Sequence, residues 1–268
     1  MKKRIILISL MLGLHVVAGN AQEEKKHNHA ASDKQHASKP VAGTLWTEPK
    51  TRMKFVWVPS GCFRMGGDGH NEQPVHRVCV KGFWMGRYEV TQAQYQQVIG
   101  INPSNFIGSN RPVDQVSWDD ASNFTQEMSY STGTKVRLPS EAEWEYACRA
   151  GGAHEEYCGG GGKPDRLAWY KANSKGRTHP VGQLAPNAWG LYDMSGNVWE
   201  WTQDCYNGNY NGAPTDGSAW KSGNCGRRML RGGAWYDDRA NLRAADRNDD
   251  GTGDRINNNG FRVVRTLP

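Results

Sequence analysis

The chain has 268 residues, of which 37% are hydrophobic and 22% are charged. This composition is sufficient for one core of ordinary size and too polar for an integral membrane protein. The formal net charge of +6 does not indicate a nucleic-acid partner. Arginine and aspartate are interleaved along the sequence, and Lys2, Lys3 and Arg4 belong to a segment predicted to be removed.

The N-terminus has the pattern of a secretory signal peptide. A basic start is followed by apolar residues from Ile5 to Ala18, and Gly19 and Ala21 put small residues at a cleavage site after Ala21. The alternative is an uncleaved anchor, although the apolar run is short for a membrane span. No cysteine follows closely, which disfavours a bacterial lipid anchor. We predict a signal peptide at 1–21 and a periplasmic or secreted protein without a transmembrane segment after cleavage.

Residues 22–44 contain almost no apolar side chains. Such a segment buries too little surface to offset its conformational entropy, so we predict a disordered polar linker. The folded domain is predicted to span residues 45–268.

The first part of this domain carries strand signals and then helix signals. Met53–Gly67 alternates apolar and polar residues around a turn with proline and glycine, and His76–Val90 predicts further strand. Helix-capping sequences begin at Thr91, Ser117 and Ser140, each followed by an apolar stripe. These patterns predict two or three helices of modest length.

After Gly151 no helical periodicity persists, and glycine, asparagine, aspartate and aromatic residues dominate. Loops and short strands alone make a poor core, so we expect large aromatic side chains to supply the missing bulk. The tryptophans concerned are Trp169, Trp189, Trp199, Trp201, Trp220 and Trp235. The predicted fold class is α+β and loop-rich, with short mixed strands and two or three helices.

Six cysteines in a chain with a signal peptide indicate disulfides formed in an oxidising compartment. Sequence order cannot select one pairing, but we favour the sequential set, in which each bridge closes a short loop. The predicted bridges are Cys62–Cys79, Cys148–Cys158 and Cys205–Cys225. A metal site is the alternative, and it lacks a C-x-x-C pair or a cysteine–histidine cluster at zinc spacing.

Seven motifs occur in an order that is similar to that of a known family. They are FRMG at 63–66, EVTQAQY at 89–95, PVDQVSWDDA at 112–121, RLPSEAEWEYACRAG at 137–151, NAWGLYDMSGNVWEW at 187–201, LRGGAW at 230–235 and GFRVV at 260–264. From residue 45 onwards the chain resembles the formylglycine-generating-enzyme, or sulfatase-modifying-factor, domain. The resemblance implies a loop-rich fold of the C-type-lectin-like kind.

Enzymes of that family oxidise a sulfatase cysteine with copper held by two thiolates. The resemblance places Asp237 and Leu242 at the two thiolate positions, and Ala234 where the family has serine. A carboxylate and a leucine cannot replace two soft thiolates at Cu(I), so we expect no copper and no formylglycine generation. The alternative function is an oxidoreductase or accessory protein whose chemistry does not need the two cysteines.

The same resemblance implies one structural Ca²⁺ site. Its ligands would be the side chain of Asp193, the backbone carbonyls of Gly196 and Val198, and the carboxylate of Glu200. Hard oxygen ligands at this spacing, with a glycine that permits a tight turn, suit Ca²⁺. The alternative is that Asp193 and Glu200 only cap turns.

The C-terminal segment, residues 236–259, has an unusual composition. From Tyr236 to the end there is no lysine, glutamate, glutamine or methionine. The residue types that are frequent there are reachable from an AAC or AAT codon by changing only the adenines. The segment resembles the variable region of proteins diversified by retroelements, which display it on this same fold. Two alternatives stay open: a turn-rich stretch that favours asparagine and aspartate, or a tail that non-diversified relatives share.

If the segment is diversified, its variable side chains should lie exposed on one face. Arg231, Arg243, Arg247 and Arg262, the arginine frame, would then hold the backbone. The predicted ligand-binding residues are Tyr236, Asp237, Asp238, Asn241, Asp246, Asn248, Asp249, Asp250, Thr252, Asp254, Ile256, Asn257 and Asn258. A tyrosine among short polar side chains is typical of adaptable binding surfaces. We therefore predict an exported, non-catalytic protein that binds an unknown protein or surface ligand.

Overall fold

The computed structural model describes residues 40–152 and 154–266. The predicted signal peptide lies outside the described residues, as does the predicted linker up to residue 39. Within the described ranges, no helix has the length and apolar character needed to cross a bilayer.

The strands that precede the helices form a hairpin and the core of a sheet. They are β1 (Leu45–Thr47), β2 (Lys54–Val58), β3 (Gly61–Met65), β4 (His76–Val80) and β5 (Phe83–Gly86). β2 pairs antiparallel with both β1 and β5, while β3 and β4 pair with each other. The last four residues of β2 and all of β5 are buried, so these two strands lie inside the molecule.

Three α-helices follow within the described residues. They are α1 (Gln92–Ile99), α2 (Trp118–Thr132) and α3 (Glu141–Cys148), with strand β6 (Val136–Arg137) between α2 and α3. Each begins at a capping box, with Thr91, Ser117 and Ser140 as the N-cap residues. α1 and α2 end at Gly100 and Gly133, whose left-handed conformations (φ 91° and 68°) glycine adopts without steric cost. All three predicted helix starts are confirmed.

Five strands follow in the described residues, and the first four of them build a second sheet. They are β7 (Trp199–Tyr206), β8 (Asn224–Arg231), β9 (Asn248–Gly251), β10 (Asn259–Gly260) and β11 (Val264–Arg265). The second sheet has the order β10-β7-β8-β9, with β10 parallel to β7 and the other pairs antiparallel. β11 instead enters the first sheet between β5 and β6. Strands on both sides therefore fix the ends of the C-terminal segment.

Short mixed strands, three helices and long loops confirm the α+β, loop-rich, C-type-lectin-like fold. The tryptophans contribute to the core as expected, but not equally. Trp199 and Trp201 are fully buried, together with Trp144 of α3. The other four named in the sequence are only partly buried, because they lie on loops at the edge of the core.

All six cysteines form the three predicted disulfides. Cys62–Cys79 joins β3 to β4, and Cys205–Cys225 joins β7 to β8. Cys148–Cys158 joins the end of α3 to the loop that follows. Three disulfides fit an extracellular or periplasmic protein.

Candidate ligand surface and metal site

Three members of the arginine frame (Arg231, Arg247 and Arg262) are buried, and Arg243 is partly exposed. Arg231 is fully buried and donates hydrogen bonds to the carbonyl oxygens of Ala244 (2.8 Å), Ala245 (2.9 Å) and Asp246 (2.9 Å). It also pairs with the buried carboxylate of Glu145. One side chain therefore fixes three consecutive peptide groups of the segment.

The other arginines of the frame attach the segment to distant elements. Arg247 pairs with Glu141 of α3 through two hydrogen bonds of 2.6 and 3.0 Å. Arg243 pairs with Glu72 at 2.6 Å. Arg262 pairs with Glu200 of β7 at 2.5 Å. Arg231, Arg243 and Arg247 therefore hold the segment, whereas the partners of Arg262 all lie outside it.

The predicted ligand-binding residues differ in exposure. Exposed are Tyr236, Asp238, Asp254 and Ile256, and partly exposed are Asn241, Asp246, Asn248, Asp249, Asp250, Thr252 and Asn257. These eleven residues are called the ligand surface below. The expected exposure is wrong for Asp237 and Asn258, which are 8% and 5% exposed. The carboxylate of Asp237 accepts a hydrogen bond from Ala234 N at 2.8 Å. The backbone carbonyl oxygen of Asn258 accepts one from Trp199 N at 2.7 Å. Both residues therefore support the backbone.

Tyr236 is the aromatic member of the ligand surface and is exposed. Burial raises the pKa of its hydroxyl, and the charges of Asp237 and Asp250 raise it further. Its ring contacts Trp235, with the ring centres 5.4 Å apart. Trp235 in turn contacts Phe106 edge to face at 5.2 Å. Phe106 comes from the loop between α1 and α2, and sequence reasoning missed it because it is about 130 residues away from Tyr236 along the chain.

Only some of the aspartates in this segment form an ion pair with a cationic side chain. Asp238 pairs with Lys171 at 3.1 Å, and Asp249 pairs with Arg227. Within the described part of the chain, Asp237, Asp250 and Asp254 have no ion-pair partner. Burial raises the pKa of Asp250, and the neighbouring charge of Asp254 adds to the shift. Asp250 and Asp254 therefore contribute unpaired negative charge to the ligand surface, and Asp250 lies close enough to Tyr236 to raise its pKa.

The two positions expected to replace the thiolates differ in environment. Leu242 is fully buried and belongs to a small apolar cluster with Tyr157, Ala168 and Tyr170. Asp237 is a buried acid whose pKa is raised to about 6, first by burial and then by the charges of Asp246 and Asp238. An apolar side chain and a carboxylate do not form a soft-metal site.

The proposed Ca²⁺ ligands lie at the N-terminal end of β7. Asp193 and Gly196 both have left-handed backbones (φ 55° and 80°), and a Cβ at position 196 would collide with the carbonyl oxygen of Trp169. The carboxylate of Asp193 accepts a hydrogen bond from Gly182 N at 2.7 Å. The carboxylate of Glu200 accepts hydrogen bonds from Arg262 and from Trp144 Nε1 at 2.7 Å.

A third carboxylate, missed by sequence reasoning, adjoins this pair. Glu89 is fully buried and accepts hydrogen bonds from Asn197 Nδ2 (2.6 Å) and Val198 N (3.1 Å). Burial raises its pKa well above the usual range, and the charges of Asp193 and Glu200 add to this. Burial likewise raises the pKa of Asp193 to about 6. Of these three buried carboxylates only Glu200 has an ion-pair partner among the described residues, namely Arg262, so Glu89 and Asp193 favour either a proton or a further positive charge.

No group of three or more acidic, histidine or cysteine side chains within residues 40–152 and 154–266 is close enough to hold a metal by itself. The proposed Ca²⁺ set needs only two side chains, because Gly196 and Val198 would contribute backbone carbonyls.

Comparison with known proteins gives one consistent result. The family model described as the sulfatase-modifying factor enzyme 1-like domain matches residues 40–267. The formylglycine-generating enzyme of Mus musculus is 29% identical over 259 residues, which cover 69% of this chain and 68% of the mouse protein.

Two solved structures are similar over most of the chain. PvdO from Pseudomonas aeruginosa is 33% identical, with a TM-score of 0.77, covering 85% of this chain and 100% of PvdO. Variable protein 1 of Treponema denticola is 26% identical, with a TM-score of 0.77 and the same coverage of 85% and 100%.

Proposed function

The chain belongs to the family of sulfatase-modifying factor enzyme 1-like domains, and on this premise we propose that it is an exported, non-catalytic protein that binds its ligand through the ligand surface. One observation carries the proposal: in the C-terminal segment, the side chains that hold the backbone are different from those that reach solvent. Buried arginines hold the backbone, whereas most of the segment's own polar side chains reach solvent. A surface built in this way can change its side chains without losing its shape.

The chemistry of the surface favours a ligand with positively charged groups. Asp250 and Asp254 lack an ion-pair partner among the described residues, and Tyr236 is 46% exposed. Ammonium and guanidinium groups bind carboxylates by charge and aromatic faces by cation–π attraction. We propose a protein partner that contributes lysine or arginine side chains.

The likeness to a variable protein of Treponema denticola supports a display role. We propose that the residues of the ligand surface are the ones that differ among related copies, as the composition of the C-terminal segment suggests. A reverse-transcriptase gene and a second copy of the tail-coding sequence near the gene would support this part of the proposal.

The alternative is an oxidoreductase of the formylglycine-generating class, which the likeness to the mouse enzyme favours. The residues at the former thiolate positions weigh against it. Asp237 closes a turn and Leu242 packs in an apolar cluster, so neither presents a soft ligand. All six cysteines are in disulfides elsewhere, which leaves no thiol for copper.

We also propose that one Ca²⁺ ion is bound by Asp193, Glu200 and the carbonyls of Gly196 and Val198. Its role would be structural: it would neutralise buried carboxylates and hold the loop before β7. Arg262 ties this loop to β5, because it also donates to the carbonyl oxygen of Gly86 at 3.1 Å.

A peptide-binding experiment tests the proposed function. Synthetic decapeptides that carry lysine, arginine, glutamate or only uncharged residues are immobilised and probed with the purified chain. We expect binding to lysine and arginine peptides, with a loss of at least about tenfold in the Asp250→Asn/Asp254→Asn variant. The matched control, Glu127→Gln on the distant face of α2, should bind like the wild type. Binding that is equal for all peptides, or equal in both variants, would contradict the proposal.

A second assay addresses the alternative directly. The purified chain is incubated with copper and a sulfatase-type cysteine peptide, and the peptide is analysed for the aldehyde by mass spectrometry. We expect unmodified cysteine. Aldehyde formation that requires Asp237 would establish the alternative and overturn the non-catalytic assignment.

A further inference from the structure

A cavity of about 330 Å³ lies between α2 and the β7–β8 pair, outside the ligand surface and the proposed Ca²⁺ site. One wall is the face of α2 that carries Trp118, Ser122 and Thr125, which are spaced so that they project from the same side of a helix. The opposite wall is the β7–β8 pair at the Cys205–Cys225 disulfide. The size is at the lower end of the range for small-molecule sites.

A cation without a counter-ion lies in this cavity. The guanidinium of Arg228 is stacked 4.0 Å above the ring of Trp118, and its Nη1 donates hydrogen bonds to the carbonyl oxygen of Gln203 at 2.8 Å and to Sγ of Cys205 at 3.3 Å. Its Nε is buried and has no hydrogen-bond partner among the described residues. Arg228 is also absent from every ion pair formed within residues 40–152 and 154–266.

The acidic groups nearby do not compensate this cation. Desolvation lowers the pKa of Arg228, and the charges of Asp204 and Asp119 oppose the shift without cancelling it. The carboxylate of Asp204 instead accepts hydrogen bonds from the backbone nitrogens of Glu141 (2.7 Å) and Trp220 (2.8 Å). Asp119 is exposed to solvent. Arg228 as a whole is only partly buried and lines the cavity, so an anionic acceptor there would be attracted by a guanidinium that has no carboxylate partner among the described residues.

The remaining lining defines the rest of the ligand. Lys221 lies at the cavity and is exposed, which adds a second positive charge. Leu138, the ring of Trp118 and the disulfide form the apolar part of the lining. An inorganic anion would leave this apolar part unfilled, whereas a neutral apolar molecule would leave Arg228 unpaired.

We propose that this cavity binds a small organic anion, in which a carboxylate faces Arg228 and an aryl or branched aliphatic body packs against Trp118 and Leu138. The site is independent of the proposed function, because none of its lining residues belongs to the ligand surface.

Fluorine NMR tests the proposal with three probes of one shape: 4-fluorobenzoate, the neutral 4-fluorobenzamide and the cationic 4-fluorobenzylamine. The full chain should bind the benzoate, and the amide and the amine at least about tenfold more weakly. Arg228→Gln should weaken benzoate binding by about tenfold or more, and Ser122→Trp, which fills the cavity while keeping Arg228, should abolish it. The control Lys81→Gln should bind like the wild type.

Each outcome of this experiment decides the question. Equal binding of the benzoate and the amide, or benzoate binding that survives both Arg228→Gln and Ser122→Trp, overturns the site, as does an absence of benzoate binding to the wild type. If Arg228→Gln does not fold, Ser122→Trp and Lys221→Ala carry the test, with circular dichroism as the check of folding. The Asp250→Asn/Asp254→Asn variant should retain benzoate binding, which separates this site from the ligand surface.

Discussion

Two buried ionic clusters support the C-terminal half of the chain, and they differ in charge balance. The first contains Glu141, Glu145 and Asp204 together with Arg149, Arg231 and Arg247. The second contains Glu89, Asp193 and Glu200, with Arg262 as its ion-pair partner.

The effect of this difference is visible in the pKa shifts. Burial would raise the pKa of Glu141, but Arg247 and Arg231, by charge and hydrogen bonding, lower it. Asp204 has no ion-pair partner among the described residues, and burial followed by the charge of Glu141 raises its pKa to about 7. In the second cluster burial and like charges act together, so the pKa values of Glu89 and Asp193 are raised. A balanced cluster stabilises the fold by itself, whereas an unbalanced one needs a proton or a cation. The first cluster is therefore a structural support, and the second is the place where we propose the Ca²⁺ ion.

The largest expected effect concerns the balanced cluster. Arg231→Met should lower the free energy of unfolding by about 3–5 kcal/mol, because it leaves three carbonyl oxygens without this donor and the buried Glu145 with only one of its two arginine partners. Urea denaturation measures this value. The control Arg227→Met removes an exposed partner of Asp249 and should cost at most about 1 kcal/mol. Equal effects of the two substitutions would mean that the first cluster does not hold the fold.

Calcium removal should affect the unbalanced cluster. At a free Ca²⁺ concentration of about 100 times Kd, binding to the native state adds about 2.7 kcal/mol, so a chelator should lower Tm by several degrees. Asp193→Asn should remove the dependence on chelator. Asp204→Asn, which changes a buried aspartate of the balanced cluster, should leave it intact. If the chelator does not change Tm, no Ca²⁺ is bound, and Asp193 and Glu200 only cap turns.

A smaller effect is expected from the pH dependence of Asp237. Its pKa is raised from 3.8 to about 6 in the folded chain, so the folded state binds this proton more tightly than the unfolded state. Its favourable contribution is therefore complete below pH 3.8 and is lost as the pH rises through about 6. Relative to Asp237→Asn, the wild type should become less stable between about pH 4.5 and about pH 7.5 in urea titrations. A stability difference that is constant with pH would show that the pKa of Asp237 is not raised in the folded chain.

The smallest effects should come from the ligand surface. Asp238→Ala, Asn248→Ala and Asp254→Ala should each change stability by no more than about 0.5 kcal/mol, as is usual for surface positions. Asn258→Ala should cost more, because Asn258 is 5% exposed and lies beside β10. Thermal unfolding of the four variants measures the contrast. If the three exposed substitutions are as damaging as the buried one, the segment is structural rather than a binding surface.

Local signals explain what the sequence could predict. The capping boxes at Thr91, Ser117 and Ser140 depend on residues three positions apart, so the helix starts are readable from the sequence. Each disulfide also closes a short loop, with sequence separations of 10 to 20 residues.

Long-range packing explains what the sequence could not predict. Glu89 contacts Asn197, which is more than 100 residues away along the chain. Phe106, in the loop between α1 and α2, likewise contacts the distant Trp235. No local pattern reports such contacts. Asp237 and Asn258 have the same residue types as their exposed neighbours, and only their position on a turn or beside a strand buries them. Composition thus identified the segment but not the role of each member.

The contacts of Arg231 and Arg247 have a consequence for how this protein can evolve. Between the end of β8 and the start of β10, Arg231 holds the carbonyls of residues 244–246, and Arg247 is held by α3. These contacts depend on the number of residues between Arg231 and position 244, because an insertion there would move the three carbonyls away from their donor. Substitutions leave that spacing unchanged. Related copies should therefore vary by point changes and conserve the length of the segment, and insertions should be confined to the exposed turn at 252–255.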